Sequence, residues 1–322
     1  MREEIINLLK KENKLSEDSI SELKNIEIDD FSNIVKELGQ EETSYIKKSE
    51  IANELNTEYI GKELYVYKEV SSTNTVAKFL SMNHVKNGTV VISEKQTQAK
   101  GRSGKSWESP LGGVWLSIIV NPIVDYSKLP LITLATGVAV AKTLERVGVE
   151  NPEIKWPNDI MINGKKVCGI LTEAVTKFNR IESVIIGVGI DANLNVTDFP
   201  EELQSGTTTL KEELHKEGNE NLLIKIFFEE FEKINELFNS KEYEAILKEW
   251  RKRSYSIGKI VEVREPFNKH YDGYVVGIGK EGALIVESNV VETAIDVIAS
   301  SLLKIPPLAS NVTGRAAAAH TA

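Results

Sequence analysis

Lys155-Trp156-Pro157-Asn158-Asp159 places a cation, an indole, a proline, an amide and a carboxylate in consecutive positions. Proline fixes φ, lacks an N–H and pushes the residue before it towards extended backbone, so this segment is no helix. Ile160, Met161 and Ile162 follow, then Asn163-Gly164, a strong signal for a two-residue hairpin turn. Lys165-Lys166-Val167-Cys168-Gly169-Ile170-Leu171-Thr172-Glu173 resumes the strand pattern. The expected result is a hairpin with Lys155 and Asp159 on one arm and Lys166 on the other. Lysines flanked by strand of buried character are costly unless an anion meets them. The chemistry points to an anionic ligand.

Three more segments carry chemistry. Gln96–Trp107 reads as a basic loop in which Gly101 and Gly104 let backbone amides approach a ligand, and Lys100, Arg102 and Lys105 supply charge. A solvated basic loop is the plain alternative, and Trp107, able to cover a heterocycle, argues against it. The spacing is not that of a nucleotide P-loop. Ser71-Ser72-Thr73-Asn74 is a helix N-cap signature, and a helix N-terminus also offers amides and hydroxyls to an uncharged polar group. Gly187-Val188-Gly189-Ile190-Asp191-Ala192-Asn193 lacks the third glycine and the following helix of a dinucleotide fingerprint. Its polar end, Asp191 and Asn193, could instead read an adenine edge.

These segments need a scaffold, and the periodicity supplies one. Strand patterns run over 64–70, 89–93, 114–120, 154–162, 167–173 and 183–190. Helical spacing predicts helices over 75–82, 130–147 and 222–238. Strands grouped in hairpins, with helices added in blocks, give an α+β fold with a mostly antiparallel sheet. Short strands over 259–264, 271–278, 282–287 and 290–297 suggest a small C-terminal barrel. Ile5, Ile6, Leu8, Leu9, Ile20, Leu23, Phe31, Ile34, Val35 and Leu38 suggest an N-terminal helical domain. The domains are therefore read as 1–59, helical and of degenerate helix-turn-helix type at most; 60–253, catalytic; 254–307, the barrel; and 308–322, a disordered tail.

Composition narrows the function classes. The 322 residues contain one cysteine, Cys168, which excludes a disulfide framework and a multi-cysteine metal site. Between Val167 and Gly169 it reads as a buried, inert thiol. His84, His215, His270 and His320 show no ligand spacing, so no dedicated metal site is expected. Nothing reads as a membrane span or a secretion signal, and the expected location is cytoplasmic. The net charge is −9. Residues 1–59 hold 8 Lys and Arg against 15 Asp and Glu, an unfavourable balance for DNA.

Taken together, the segments resemble the biotin–protein ligase family from about Ile60 to Lys304. The carriers are Ser71–Asn74, Gln96–Trp107, Lys155–Asp159, Lys166–Glu173 and Gly187–Asn193. The resemblance implies a class II synthetase-like catalytic domain with a small SH3-like C-terminal barrel. It also implies ATP-dependent ligation of biotin to a lysine of a biotin carboxyl carrier domain, in a carboxylase or decarboxylase, through biotinyl-5'-AMP. Ser72, Thr73, Asn74 and Gln96 would bind biotin, with Lys100, Gly101 and Arg102 in the loop that closes over the adenylate. Lys166 would meet the biotin carboxylate and the phosphate, and Gly169 would offer its amide. Trp107, Asn158, Asp159, Asp191 and Asn193 would lie on the ATP side, and Lys155, Asn158 and Asp159 around the reacting centre. Catalysis would rest on Lys166, Arg102, Lys155 and Asp159. ATP and Mg2+ are the implied cofactors, with biotin as substrate. A homodimer is left open, and DNA binding is not favoured.

Three departures stand out. The family loop is usually Gly-Arg-Gly-Arg-Arg-Gly, and here it reads Ala99-Lys100-Gly101-Arg102-Ser103-Gly104. Asp191 stands where asparagine is usual. Residues 1–59 lack the basic recognition helix of the family's repressor members. The rivals are a lipoate or octanoate transferase and a biotin-responsive repressor.

Overall fold

A computed structural model describes residues 14–15, 35–36, 39, 43–82, 85–122, 124–178, 180–265, 269–288, 291–297 and 303–304. The strands are β1 (Lys14–Leu15), β2 (Leu64–Val70), β3 (Val90–Gln96), β4 (Val114–Val120), β5 (Glu153–Lys155), β6 (Asp159–Ile162), β7 (Lys165–Lys177), β8 (Arg180–Ile190), β9 (Ile260–Glu265), β10 (Lys269–Ile278), β11 (Leu284–Ser288), β12 (Val291–Val297) and β13 (Leu303–Lys304). The α-helices that lie wholly within the described residues are α1 (Lys48–Ala52), α2 (Thr73–Ser81), α3 (Leu129–Arg146), α4 (Glu201–Gln204), α5 (Leu210–Leu214), α6 (Glu220–Asn239) and α7 (Tyr243–Lys252).

The large sheet runs β1-β2-β3-β4-β8-β7-β6-β5, with β13 also paired to β7. From β3 to β5 every neighbouring pair is antiparallel. The β2–β3 pair is parallel, with α2 in the connection, as a parallel pair requires a crossover. The structure thus has the mostly antiparallel α+β character expected.

Alternation along the strands assigns the two faces. On β8, Val184, Ile186, Val188 and Ile190 enter the main core together with α3, α6 and α7. Helix α3 is apolar almost all round, as a helix covered on both sides must be, since sheet and helices both contact it. The opposite face is divided. One half packs α2 against Tyr65, Tyr67, Val91, Ile119 and Ile185. The other half presents Ser117 from β4, Gly187 and Gly189 from β8, and Gly169 and Leu171 from β7. That open half-face lies over the cavity described below.

Two expectations are corrected here. The single strand read over 154–162 is the tight hairpin β5–β6, in which Lys155 pairs with Asp159. Residues 156–158 form the turn, because cis-Pro157 cannot donate to a ladder. The boundary read at residue 59 falls inside the catalytic body. Ile46 and Ile51 are buried in the main core, the Glu94 carboxylate accepts from the amides of Tyr45 and Ile46, and Glu232 accepts from those of Glu58, Tyr59 and Ile60. Most of the expected helical domain, the 308–322 tail, His84 and His320 lie outside the described residues. Within 1–59, Lys14–Leu15 add a strand beside β2 rather than helix.

Strands β9 to β12 form a four-stranded antiparallel meander. It docks through the β10–β11 turn: Gly282 approaches Leu131 and Leu134 of α3, and its carbonyl accepts from Trp156 Nε1 at 2.9 Å. Ser256 Oγ accepts from the Trp156 amide at 3.1 Å. Trp156 is therefore an anchor for the C-terminal sheet. Helix α7 was not read from the sequence, because only Ile246, Leu247 and Trp250 mark its buried side.

Candidate active site

A cavity of about 500 Å³ opens on the free half-face, within the range of small-molecule sites. Its floor follows strand periodicity. Gly187 and Gly189 of β8 and Asp191, the residue after its end, all line the cavity, with Gly187 and Asp191 separated by about 13 Å along the chain direction.

At the Gly187 end, helix α2 begins. Ser72 caps it with extended backbone but without a side-chain cap bond, so its hydroxyl remains available to the cavity it lines. Thr73 donates to Gln96 Oε1 from its amide at 2.8 Å and from its hydroxyl at 3.1 Å. Ser117 Oγ bonds Asn74 Oδ1 at 2.6 Å and Thr73 Oγ1 at 2.7 Å. Asn74 Nδ2 donates to Glu173 Oε2 at 2.8 Å, and Gln96 Nε2 to Ser109 Oγ at 2.9 Å. A Cβ on Gly187 would lie 2.3 Å from Asn74 Oδ1, so only glycine admits this network so close to the sheet.

The centre is cationic. Lys166 Nζ pairs with Asp159 Oδ1 at 2.7 Å and lies 4.8 Å from the Trp107 ring centroid. Arg102 donates to Asn158 Oδ1 at 2.9 Å. Burial lowers the Arg102 pKa and the Asp159 charge opposes this; a guanidinium stays protonated regardless. Asn158 Nδ2 donates to the Ile170 carbonyl at 2.8 Å, which fixes the amide that holds Arg102. The 97–109 loop closes on itself: Gly101 N–H donates to Lys105 O, Trp107 N–H to Ala99 O, and Ser103 takes a left-handed φ of 57°. Lys100 and Gly101 line the cavity as well.

Trp107 lies over Gly169 and Gly189, where a Cβ would come within 3.0 Å and 2.6 Å of its ring. It meets Trp115 edge-on with centroids 6.4 Å apart. Its Nε1 is buried and has no hydrogen-bond partner among the described residues. Beyond it comes Asp191, whose side-chain Oδ1 is in the same condition. Burial pushes the Asp191 carboxyl well above the usual carboxylate range, with Lys166 acting the other way. Cys168 is fully buried and its thiol is pushed up by that burial, as an inert core residue should be.

Most of the residues singled out in the sequence therefore line one cavity: Ser72, Thr73, Asn74, Gln96, Lys100, Gly101, Arg102, Trp107, Asn158, Asp159, Lys166, Gly169 and Asp191. Two do not. Lys155, although it is the register partner of Asp159, is exposed at the end of β5 beside the Tyr255 ring. Asn193 spends its amide on the 218–220 loop, donating to Gly218 O at 2.9 Å and Glu220 Oε1 at 2.6 Å and accepting from Gly218 N. Ser109, Ser117 and Glu173 were missed. Their signal was only an isolated polar residue in or beside a strand, while the Gly-x-Gly of 187–189 signalled close approach rather than phosphate binding.

The site and sheet define a class: the model of the Biotin/lipoate A/B protein ligase family matches residues 66–191. The chain belongs to the biotin–protein ligase branch of that family, being 37% identical over 245 residues to the bifunctional ligase/repressor BirA of Bacillus subtilis, which covers 76% of this chain and 75% of the relative. The biotin–[acetyl-CoA-carboxylase] ligase of Mycobacterium tuberculosis is 30% identical over 248 residues, covering 74% of this chain and 89% of the relative. The biotin protein ligase of Aquifex aeolicus in complex with biotin and ATP superposes with a TM-score of 0.64 at 28% identity, covering 73% of this chain and 96% of that one. Among the described residues no helix is long and apolar enough to cross a membrane.

Proposed function

We propose that this chain ligates biotin to a lysine of a biotin carboxyl carrier domain, using ATP and passing through biotinyl-5'-AMP. The observation that carries the reading is the convergence of Lys166 and Arg102 between an uncharged polar end and the end that holds Asp191. A biotin ring would occupy the polar end, its carboxylate and the ATP α-phosphate the cationic centre, and the base the far end.

A biotin carboxylate oxygen attacks the α-phosphorus, the bond to the bridging oxygen breaks, and pyrophosphate leaves. The acceptor lysine's neutral amine then attacks the acyl carbon, AMP leaves, and the amine proton passes to solvent. Lys166 and Arg102 stabilise the developing phosphate charge, and the cavity aligns the reactants. Asp159, at 2.7 Å from Lys166, orients that lysine and is not free to serve as a base. Mg2+ would come with ATP, held mainly by its phosphates. An SH3-like closure of the C-terminal strands, a helical N-terminal domain and a homodimer belong to the same reading.

The test is AMP formation that requires biotin, ATP and a carrier domain together. Thermal-shift comparison of biotin with lipoate separates the lipoate rival, which predicts the larger shift with lipoate. The relative's name, ligase/repressor, favours a second reading for the N-terminal part. The excess of acids in residues 1–59 opposes it.

A further inference from the structure

We propose that Glu173, which lies outside the cavity lining, is a positioning residue that makes the polar end of the site demand an N–H donor from its ligand. It does so by fixing which way the Asn74 amide points. This rests on the ligase reading above and concerns how that site tells biotin from a ligand without N–H groups.

The polar end holds fewer protons than contacts. A carboxylate oxygen only accepts, so Glu173 Oε2, at 2.8 Å, fixes Nδ2 as the Asn74 atom that faces it. Asn74 Oδ1 must then face Ser117, where it too can only accept. Three contacts run on from there in a line. Asn74 Oδ1 meets Ser117 Oγ at 2.6 Å, Ser117 Oγ meets Thr73 Oγ1 at 2.7 Å, and Thr73 Oγ1 meets Gln96 Oε1 at 3.1 Å. Both ends of the line are carbonyl oxygens. Each contact needs a proton, and the line has only the one on each hydroxyl. The donors around it are engaged: Thr73 N–H with Gln96 Oε1, Gln96 Nε2 with Ser109 Oγ, and Asn74 Nδ2 with Glu173 and, at 3.5 Å, the Leu171 carbonyl.

The Thr73 proton is therefore claimed by both Ser117 and Gln96. Its contact with Gln96 is the longest of the three, and Thr73 and Gln96 both line the cavity. A ligand N–H that binds Gln96 Oε1 frees the Thr73 proton for Ser117 and completes the line. With the Asn74 amide turned round, Nδ2 would donate to Ser117, each hydroxyl would donate onward, and no proton would be missing. The Glu173 carboxylate forbids that orientation, because Asn74 Oδ1 would then face Oε2, one acceptor against another. Glu173 thus keeps this end rich in acceptors. The ureido ring of biotin carries N–H groups to meet them, and the dithiolane ring of lipoate carries none.

The experiment measures biotin, desthiobiotin and ATP affinity by calorimetry for wild-type protein, Glu173→Gln, Ser117→Ala and the double variant. Glu173→Gln keeps the shape of the side chain but can donate to Asn74 Oδ1, so the amide turns and the shortage disappears. Ser117→Ala removes the shortage by another route, leaving the Thr73 proton to Gln96 alone. Each single variant should bind biotin roughly tenfold more weakly, about the worth of one hydrogen bond. Desthiobiotin, which keeps the ureido ring and lacks the sulfur ring, should weaken by the same factor. The double variant should lose no more than either single one, because the same shortage can be removed only once. ATP affinity should not move, whereas a general loosening of the site would lower it as well. Wild-type biotin affinity in Glu173→Gln, additive losses in the double variant, or an equal loss of ATP affinity would overturn the proposal. Biotin binding with the expected dependence on Glu173 but without biotin-dependent AMP formation would sink the ligase reading instead.

Discussion

The two ends of the cavity are built on opposite principles. At the Gly187 end, Thr73, Asn74, Gln96, Ser109, Ser117 and Glu173 bond one another, so most of the polar groups there are held before any ligand arrives and the Ser72 hydroxyl is left open to the cavity. At the other end, Trp107 Nε1 and Asp191 Oδ1 are buried without partners among the described residues. A satisfied network holds its shape and selects by fit, whereas an unsatisfied one gains its missing bonds only when the ligand supplies them. The Gly187 end is thus preorganised, and the Asp191 end would be completed by whatever binds there. Lys166 and Arg102 stand between them, and their loss should be felt by both.

The largest effect should come from Lys166→Ala. Removing a cation aimed at developing phosphate charge costs on the order of a hundred- to a thousandfold in rate. Biotin-dependent pyrophosphate exchange should fall by that factor while the melting temperature moves little. Full exchange activity would mean that Lys166 only decorates the hairpin. Next is Arg102→Gly, which removes a charge-assisted bond and should speed adenylate release by roughly ten- to a hundredfold. Rising label on bystander proteins would register it, and an unchanged release rate would remove Arg102 from the site.

Smaller effects should separate the two ends. Gly187→Ala puts a methyl group against Asn74 Oδ1 and should raise the biotin KM by about tenfold, the scale of one lost hydrogen bond, while sparing the ATP KM. If both constants rise together, the ends are not independent. The smallest change is expected from a chain beginning at residue 43. It keeps Tyr45, Ile46 and Ile51 in place but loses buried Val35, the bond from Tyr67 to its carbonyl and the β1–β2 pairing, so the melting temperature should fall while ligation stays within about twofold of the full chain. The full chain should show no promoter binding at physiological salt. Tight operator binding that needs biotinyl-AMP would restore the repressor reading.

Much of this was legible in the sequence. Strand alternation and β-branched runs placed β2 and β4 at their observed bounds, and the Asn163-Gly164 turn placed the hairpin that carries Lys166. Local signals of this kind depend on neighbours a few positions apart, so the chain carries them openly. The same local reading put Lys155 and Asn193 in the site, and there it failed. Which way each faces depends on partners about 100 and 25 residues downstream, Tyr255 for one and Gly218 for the other. Likewise, Gly-x-Gly at 187–189 announced a need for space, but only the sheet's packing showed that Asn74 and Trp107 fill it. Residue types and spacing determined the fold class and the chemistry available. The tertiary structure alone decided which polar groups are satisfied and which await a ligand, because burial and partnership are properties of long-range contacts.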